Sequence, residues 1–561
     1  WVGMRLQAAA VALLVLAGCL SSPGDDDAAG GDGATQPQPF APFLTQHLNG
    51  TLGNGAEVPL TTSALLRGYS HSLADVPLGD GAQRFELALD SEDVGIAFLR
   101  DPDGHLVCAA RTGRVCSGVV PPDATGPWAL DVASLTPGGG AFSAAVRQYL
   151  DAPVSANDGL PGSNLTVFRS EGSGGEPTLA WMDDGRLLVT PDAGVYRLEL
   201  DGSYTDVTPV LDATTGQTLD PFMVGDPVTG RIYVSQLAQC LRLSWTDDGG
   251  ESWMTNPAVC AGPEQHHQKI AVGPGPLGRV VHVGTMNLAS WLTTDELVIF
   301  HSRSVDGGLT WTQNPAMVKQ AAGMEARAIG NIAVLDDGTI AIVAYLCDRF
   351  VDADYNGVAV GTSSDLGLTW TWRRIAEGGG RCEGIDPGIW AAGDTLYAAW
   401  EDLSAGTGHV WWSKSSDRGV TWAERQAIPT GALGSFVFTD AAASDTRLAV
   451  AFIATADTSI GPTQAPGWSQ WHPYLASLDL AAPDAAWTVE RLQDDPVQVG
   501  PICMDGPKCL DGARNLLDFI DVQIGPDGRA AVAYADGCEE ECTYSWQSRD
   551  SQLRVAVEAA R

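Results

Sequence analysis

The sequence predicts an all-β protein in which a seven-bladed β-propeller follows a small β-sandwich. Three observations predict this fold. One eight-residue motif occurs four times, one strand–turn–strand phrase occurs seven times, and short alternating strands fill residues 50–150. Repeats of 20–50 residues or slightly more are typical of proteins built from stacked or radial units, so the repeats indicate an architecture of this kind.

The repeated motif reads Ser/Thr-x-Asp-x-Gly-x-Thr/Ser-Trp. Its copies occupy residues 246–253, 304–311, 363–370 and 415–422, and their aspartates stand 58, 59 and 52 residues apart. The motif describes a turn between two strands, because Asp accepts main-chain N–H groups, Gly permits a positive φ and Trp packs against the sheet. We therefore expect Asp306 and its equivalents to shape a turn and not to catalyse a reaction.

The strand–turn–strand phrases give the number of blades. They cover residues 177–189, 221–234, 269–283, 329–343, 387–399, 437–451 and 520–533. A third and a fourth strand follow each phrase, which makes four strands per unit, as in a propeller blade. The last unit lacks its outermost strand, and residues 164–169 can supply it, which removes exposed sheet edges. Six blades are the alternative, if one weak unit is an insertion.

The N-terminal residues predict export and a lipid anchor. Met4 and Arg5 precede an apolar run that ends in Leu16-Ala17-Gly18-Cys19, which resembles the box in which a lipoprotein cysteine accepts its lipid. An ordinary signal peptide with a chance cysteine is the alternative. We expect a protein that is exported and held by lipid on Cys19 at the extracellular face of the membrane.

Composition divides the chain into five segments. Residues 1–19 are the lipoprotein signal peptide, and residues 20–47, rich in Gly, Asp, Ser and Pro, predict a disordered tether. Residues 48–151 alternate in the manner of a β-sandwich. Residues 152–163 form a linker, and residues 164–561 form the propeller.

Charge and cysteine content restrict the partners and the compartment. The formal net charge of −37 repels nucleic acid, so we expect no nucleic-acid partner, and we expect a monomer. A protease or esterase is set aside because the chain has no Gly-x-Ser-x-Gly elbow. Ten cysteines besides Cys19 fall in local pairs, which in an exported chain predict disulfides. The pairs are Cys108/Cys116, Cys240/Cys260, Cys347/Cys382, Cys503/Cys509 and Cys538/Cys542, and the last four cysteines can also pair crosswise.

Candidate site residues stand near the start of the innermost strands, where a propeller opens into its channel. They are Glu176, Asp220, His266, His267, Glu325, Arg327, Asp386, Asp440, Asp518 and Asp521. Crowded carboxylates raise one another's pKa and can act as an acid/base pair or bind a hard cation such as calcium. The alternative is that Asp-Pro and Glu-Pro only turn the chain into a strand. Arg327 and Arg514 are the basic residues expected to hold an anionic group.

The repeated motif resembles the Asp box of the bacterial neuraminidase repeat (BNR), which occurs in sialidases, other glycosidases and non-enzymatic propellers. Residues 94–104 resemble the signature of the pre-peptidase C-terminal (PPC) domain, an accessory module of secreted enzymes. The sialidase resemblance implies a site with three arginines, a Tyr/Glu pair and an Asp. Glu325 matches the glutamate that opens a middle blade, and Arg349 loosely matches the arginine that closes that strand pair.

Two elements of the sialidase pattern are not matched. The place of the first arginine reads Glu176-Pro177-Thr178, and the place of the tyrosine nucleophile reads Asp518-Phe519. The resemblance therefore implies a sialidase-like propeller that hydrolyses or binds surface glycans, and it leaves enzyme and binder open. As an enzyme it would use Glu325, Asp386 and Asp518 for catalysis, with Glu176, Asp220, His266, His267, Arg327 and Arg514 for binding.

The alternative is a non-catalytic adhesion or protein-binding propeller, whose partner is a glycan or a surface protein. Tryptophan rings offer stacking surfaces for sugars, although tryptophan is also an ordinary filler of blades. The candidates for such stacking are Trp390, Trp411, Trp412, Trp468 and Trp471.

Overall fold

A computed structural model describes the chain over ranges that begin at Pro42. The described residues are 42, 44–52, 58–59, 67–68, 70–91, 95–102, 104, 106–112, 115–120, 124–134, 140–150, 156–191, 194–209, 219–237, 241–256, 265–287, 299–314, 325–348, 354–377, 387–402, 408–458, 461–482, 484–502, 516–538 and 551–559. The predicted signal peptide with Cys19 lies outside these ranges. Within them no helix has the length and apolar content needed to cross a bilayer.

The regular secondary structure of the described residues is almost entirely β-strand, as predicted. Ten strands precede residue 150: β1 (Leu44–Thr51), β2 (Val58–Pro59), β3 (Arg67–Gly68), β4 (Ser70–Val76), β5 (Arg84–Ser91), β6 (Gly95–Arg100), β7 (Leu106–Arg111), β8 (Val115–Val119), β9 (Trp128–Ser134) and β10 (Ala141–Tyr149). Two four-stranded antiparallel sheets have the orders β1-β10-β5-β8 and β4-β9-β6-β7, and β2 pairs with β3. Because β1 begins at residue 44, the last residues of the predicted tether belong to a strand.

One apolar core and one disulfide hold these two four-stranded sheets together. Phe85 of β5 and Trp128 of β9 are fully buried, and their rings meet edge to face with centroids 5.2 Å apart. The disulfide Cys108–Cys116 joins β7 of one sheet to β8 of the other, which confirms that predicted pair. Buried aromatic rings and a cross-link between layers both favour the folded state of a small domain.

The other predicted disulfides fall mostly outside the described residues. Cys538 is disulfide-bonded. Cys347 lies in a strand, but its side chain is outside the described part of the chain. The remaining cysteines, Cys240, Cys260, Cys382, Cys503, Cys509 and Cys542, are not described at all. Their pairing stays a prediction.

After β11 (Thr166–Ser173), the described strands form seven antiparallel sheets, which we number in chain order. Sheet 1 holds β12 (Thr178–Trp181), β13 (Leu187–Thr190), β14 (Tyr196–Leu198) and β15 (Tyr204–Asp206). Sheet 2 holds β16 (Leu219–Gly225), β17 (Ile232–Leu237), β18 (Arg242–Thr246) and β19 (Met254–Asn256). Sheet 3 holds β20 (Gln265–Gly275), β21 (Gly278–Asn287), β22 (Ile299–Ser304) and β23 (Thr312–Gln313).

Four further sheets follow in the same manner. Sheet 4 holds β24 (Glu325–Val334), β25 (Ile340–Asp348), β26 (Asp354–Ser363) and β27 (Thr371–Glu377). Sheet 5 holds β28 (Gly388–Ala392), β29 (Thr395–Asp402), β30 (His409–Ser415) and β31 (Gln426–Ala427). Sheet 6 holds β32 (Ser435–Ala443), β33 (Arg447–Thr455), β34 (Gln470–Asp479), β35 (Thr488–Arg491) and β36 (Gln498–Val499), with a 3-10 turn at Pro462–Gln464. Sheet 7 holds β37 (Asp521–Ile524), β38 (Ala530–Asp536), β39 (Gln552–Val557) and β11.

The first strands of neighbouring sheets contact one another in order. Contacts run from β12 through β16, β20, β24, β28 and β32 to β37, and β37 contacts β12. The first strands therefore follow one another around a closed circuit. β11 pairs with β39, so sheet 7 takes its outermost strand from the start of this region, as the sequence predicts. Apolar faces fill the space between sheets, as where Leu179 and Val189 of sheet 1 pack with Ala533 and Val555 of sheet 7.

Each Asp box forms the turn between the third and the fourth strand of its sheet. In the copy at 304–311, the hydroxyl of Ser304 donates to Asp306 Oδ1 at 2.7 Å, and the main-chain N–H of Thr310 donates to the same oxygen at 2.8 Å. Gly308 has a φ of 100°, and the Trp311 Nε1–H donates to the Gly308 carbonyl at 2.9 Å. The aspartate is occupied in holding its own turn.

Three Asp boxes also receive an arginine from the preceding sheet. The guanidinium group donates to a main-chain carbonyl inside the turn, a contact that the sequence motif does not show. The pairs are Arg197 with Gly249 at 3.1 Å, Arg231 with Gly307 at 3.4 Å and Arg303 with Leu366 at 2.9 Å. The Asp box is therefore a joint between neighbouring sheets as well as a turn.

The predicted linker lies along sheet 6. The buried carboxylate of Asp158 accepts hydrogen bonds from the Tyr474 hydroxyl at 2.7 Å and from Arg491 at 3.1 Å. The main-chain N–H of Arg491 donates to the carbonyl of Pro161 at 2.9 Å. Residues 156–163 therefore extend sheet 6 at its outer side.

The N-terminal sheets also contact sheet 6. The N–H of Gly467 donates to Ser117 Oγ at 2.9 Å. The guanidinium of Arg84 stands 3.7 Å from the ring centroid of Tyr149 and 5.0 Å from that of Trp468. A cation between two aromatic rings, one from each region, fixes this contact.

The structural role of the Asp box can be tested with Asp306→Ala. We expect the free energy of unfolding to fall by about 1–3 kcal/mol, because Ser304 and Thr310 lose their common acceptor. Urea denaturation of the purified protein measures the change. The exposed Asp336, in a turn of sheet 4, gives the matched control Asp336→Ala, expected within about 0.5 kcal/mol of wild type. Equal stability of both variants would contradict the assignment.

Candidate functional site

Neighbouring first strands run in the same direction, as where Leu179 of β12 contacts Asp521 of β37 and Trp181 contacts Gln523, so they begin at the same end of the closed circuit. We call this end the mouth. The third strand of an antiparallel sheet runs parallel to the first strand, so the Asp boxes that follow third strands lie at the opposite end. This position is consistent with the prediction that Asp306 and its equivalents shape turns and do not catalyse a reaction.

The predicted site residues that can be located stand at the mouth. Asp220 lies in β16, His266 and His267 lie in β20, and Glu325 and Arg327 lie in β24, each in the first residues of its strand. The side chains of these five residues are outside the described part of the chain. Asp386 and Arg514 are outside it altogether, as is Arg349.

Two further predicted residues are described in full. Glu176 precedes β12 and Asp518 precedes β37, and both are buried, with 4% and 3% of their surface exposed. The main chain of Glu176 has a φ of 52°, a left-handed conformation that is unusual for a residue with a side chain. These residues mark the mouth on the side where the circuit closes.

Register shifts in the first strands bring another set of residues to a common level below the mouth. In β16, β20, β24 and β32 a shift interrupts the pairing with the second strand. Bulges of this kind turn side chains in new directions and are frequent next to active sites. Regular pairing starts or resumes at Thr178, Phe222, Lys269, Ile332, Gly388, Asp440 and Asp521.

Two aspartates at this level form a buried carboxyl pair. Asp440 and Asp521 hydrogen-bond each other through their side chains. Asp440 also accepts from Asn331 Nδ2 at 2.6 Å and from the main-chain N–H of Val522 at 3.0 Å. Asp521 accepts from the main-chain N–H of Leu179 at 2.6 Å. These bonds connect sheets 4, 6, 7 and 1 across the channel.

The surroundings of the pair favour a retained proton. Burial raises the pKa of Asp440 well above its ordinary range, and the charge of Asp521 adds to the rise. Burial also raises the pKa of Asp521, although hydrogen bonds from Leu179, Asp440 and Gln523 and, to a smaller extent, the ammonium of Lys269 oppose the effect. That ammonium stands 4.8 Å and 4.5 Å from the ring centroids of Phe222 and Phe519. The pair therefore shares a proton, and Lys269 balances the remaining negative charge.

The carboxyl pair does not fit calcium. Calcium takes six to eight oxygen ligands, whereas the oxygens of this pair accept N–H groups and the ammonium of Lys269 supplies the positive charge. Within the described ranges no group of three or more His, Cys, Asp or Glu is arranged to hold a metal ion. The calcium prediction thus rests on mouth side chains that are not described.

Sequence reasoning named Asp440 and Asp521 only as residues near strand starts, and it missed Lys269 and Asn331. Lysine occurs only four times in the chain, so a lysine at the start of an apolar strand phrase could have indicated a residue of the site. Asn331 carried no such signal, because its contact with Asp440 crosses the channel between two distant strands.

The tryptophans predicted as stacking surfaces have other partners. Trp412 and Trp471 are buried, and Trp390 packs against the apolar clusters of sheets 5, 6 and 7. Arginine side chains stand over the rings of Trp411 and Trp468, at 4.3 Å and 5.0 Å from the centroids. These contacts favour a packing role for the five rings.

Comparison with known proteins gives matches among solved structures alone: no family model and no curated protein matches the chain. The chain is similar to a Hadza microbial sialidase at 13% identity, over 79% of this chain and 97% of that one, with a TM-score of 0.37. It is similar to Trypanosoma rangeli sialidase at 13% identity, over 70% of this chain and 59% of that one, with a TM-score of 0.37. It is similar to a leech intramolecular trans-sialidase at 10% identity, over 93% and 99%, with a TM-score of 0.34. Identities and TM-scores this low carry no argument about the chemistry of the site, which has to be inferred from this chain's own residues.

The shared proton makes stability depend on pH, and Asp440→Asn should weaken that dependence. Because the folded-state pKa is raised, the contribution is fully present below the unfolded pKa of about 4 and is lost as pH rises through the raised value. Melting temperatures between pH 4 and pH 9 should fall more steeply for wild type than for Asp440→Asn, whose amide resembles the protonated acid.

Asp440→Ala is the companion variant. It removes the acceptor for Asn331 and Val522, so we expect a loss of about 1–3 kcal/mol at every pH. If Asp440→Asn keeps the full pH dependence of wild type, the pair does not hold the proton.

Proposed function

We propose that the chain is an exported, sialidase-like propeller that hydrolyses glycosidic bonds of surface glycans at the mouth. One observation carries the proposal. The starts of first strands that bear Asp220, His266, Glu325 and Arg327 lie at the same end of the circuit as the buried Glu176 and Asp518, above a proton-sharing carboxyl pair.

The proposed architecture is a seven-bladed propeller over residues 164–561, preceded by a PPC-like β-sandwich over residues 48–151. Seven described sheets with first strands in a closed circuit support seven blades over six. Two packed four-stranded sheets support the sandwich. The sequence Leu16-Ala17-Gly18-Cys19 supports attachment by lipid to the outer face of the membrane.

The chemistry of glycoside hydrolysis suits two carboxyl groups on opposite sides of a bound sugar. One protonates the leaving oxygen, and the other acts as nucleophile or activates water. Glu325 opens sheet 4 and Asp518 precedes sheet 7, so three steps around a circuit of seven separate them. This separation supports the proposal that the two residues act from opposite sides of the mouth. Asp386, before sheet 5, is the third proposed catalytic residue, and Arg327 and Arg514 would hold an anionic group of the glycan.

A second candidate function is glycan or protein binding without catalysis. The observation that favours it is the chain's departure from the sialidase pattern at two strand starts. Sheet 1 is preceded by Glu176-Pro177 where the pattern has an arginine, and sheet 7 by Asp518-Phe519 where it has the tyrosine nucleophile.

Turnover of the exported protein on fluorogenic glycosides and sialosides tests the proposal. We expect Glu325→Gln and Asp518→Asn to lower kcat by about 100-fold or more, because each removes a proton-transferring group. Asp386→Asn belongs to the same series. Glu377→Gln, on an exposed glutamate of the outer strand β27, is the matched control and should keep wild-type turnover. Circular dichroism checks that each variant folds.

The outcomes separate the two functions. Wild-type turnover in Glu325→Gln and Asp518→Asn alike would contradict the assigned roles. Binding on a glycan array without product from any glycoside would replace hydrolysis by the binding function.

A further inference from the structure

A small cavity lies on the mouth side of the carboxyl pair. Thr439 precedes Asp440 and Ile520 precedes Asp521 along strands that start at the mouth, and all four residues line the cavity. Lys269, Asn331 and Thr178 contribute from three other sheets. The cavity has room for about one water molecule.

Two hydroxyl groups of this cavity have no hydrogen-bond partner in the part of the chain that the structure describes. Thr178 Oγ1 and Thr439 Oγ1 are buried without a partner among the described residues, and the two residues are 0% and 1% exposed. Buried polar groups are almost always hydrogen-bonded, because desolvation without a new bond is unfavourable. Two such hydroxyls beside one water-sized space indicate a common partner in that space.

An irregularity in the backbone of β32 positions Thr439 at the cavity. The register shift in β32 falls between Val437 and Asp440, and the intervening Phe438 has a φ of 58°. A left-handed residue inside a strand is strained, and it persists only where the surrounding contacts require it. Here the strained bulge sets Thr439 at the cavity and Asp440 against Asp521.

We propose that this cavity binds one water molecule, which hydrogen-bonds to Thr178 and Thr439 and relays a proton between the Asp440–Asp521 pair and the mouth. In the outward step, the carboxyl O–H of the pair breaks as its proton bonds to the water oxygen, while one of the water's own O–H bonds breaks and that proton bonds to an ionised carboxylate at the mouth. The return step reverses both transfers, so the water is unchanged.

The charges around the pair suit a reversible transfer. The ammonium of Lys269 faces it from β20 and stabilises the state in which both carboxyls are ionised. The other first strands present uncharged residues to the cavity: Thr178 from β12, Phe222 from β16 and Asn331 from β24. The use of the relay in catalysis rests on the proposed glycoside hydrolysis, whereas the binding of water does not.

Isosteric removal of each hydroxyl tests the water site. A crystal structure of the protein should show water density within hydrogen-bond distance of both hydroxyls, and Thr178→Val or Thr439→Val should remove it and lower the melting temperature by about 2–5 °C. Thr285→Val is the matched control, because Thr285 is also buried with an unpartnered hydroxyl among the described residues but does not line the cavity. It should leave both the density and the melting temperature unchanged. A dry cavity, or valine variants that melt at or above the wild-type temperature, would overturn the proposal.

Kinetics test the relay. In the glycoside assay, Thr178→Val and Thr439→Val should lower kcat about tenfold with little change in KM, and should reduce the solvent deuterium isotope effect on kcat. Wild-type kcat and isotope effect in both variants would overturn the relay. If the wild-type protein turns over no glycoside, the proposed function fails, while water density and the loss of melting temperature still decide whether the cavity is a water site.

Discussion

Two hydrogen bonds from main-chain N–H groups to buried carboxyls join sheets 6, 7 and 1, where the circuit of sheets closes. The first strand of each sheet pairs with its second strand along one edge, and its other edge faces the channel. N–H groups on such an edge need acceptors when they are buried. Asp521 accepts from Leu179 and Asp440 accepts from Val522. A side chain of the neighbouring sheet thus takes the place of a strand, where sheets 6, 7 and 1 bring the two ends of the repeat region together.

The use of buried carboxyls as acceptors for main-chain N–H groups has an electrostatic consequence. Two buried carboxyls that each satisfy an N–H group are brought into hydrogen-bonding distance of one another in the channel. They cannot both carry a full negative charge there without compensation, so one proton is shared and Lys269 supplies a positive charge. Groups with perturbed proton affinity are common at functional sites, and structural pairs perturb it as well. In this channel the carboxyl groups that accept the main-chain N–H groups also have a raised pKa.

The sequence was informative about the fold because the fold is encoded in local patterns. The turn at 304–311 closes through hydrogen bonds among its own residues, so a motif of eight residues was enough to predict it. The pairing of β11 with β39 was predictable because the last unit lacks its outermost strand and residues 164–169 belong to no other unit. The site was less predictable, because it depends on register shifts that no short pattern indicates. The contact of Asn331 with Asp440 crosses 109 residues of sequence and needs shifts in both β24 and β32.

Backbone strain distinguishes the two ends of the circuit. Of the non-glycine residues with positive φ in the described ranges, Leu366 and Arg418 lie in Asp boxes, while Glu176, Phe438 and Leu517 lie at the mouth or next to the carboxyl pair. Each such residue costs about 1–3 kcal/mol. In an Asp box the hydrogen bonds of the turn explain the conformation. At the channel, strain accompanies the placement of buried polar side chains from sheets 1, 6 and 7. A core built only for stability would favour apolar residues without strain there, since burying paired charges gives little net stability. The polar, strained channel is therefore not explained by apolar packing alone, because its carboxyl pair accepts main-chain N–H groups of sheets 1 and 7 and retains a proton.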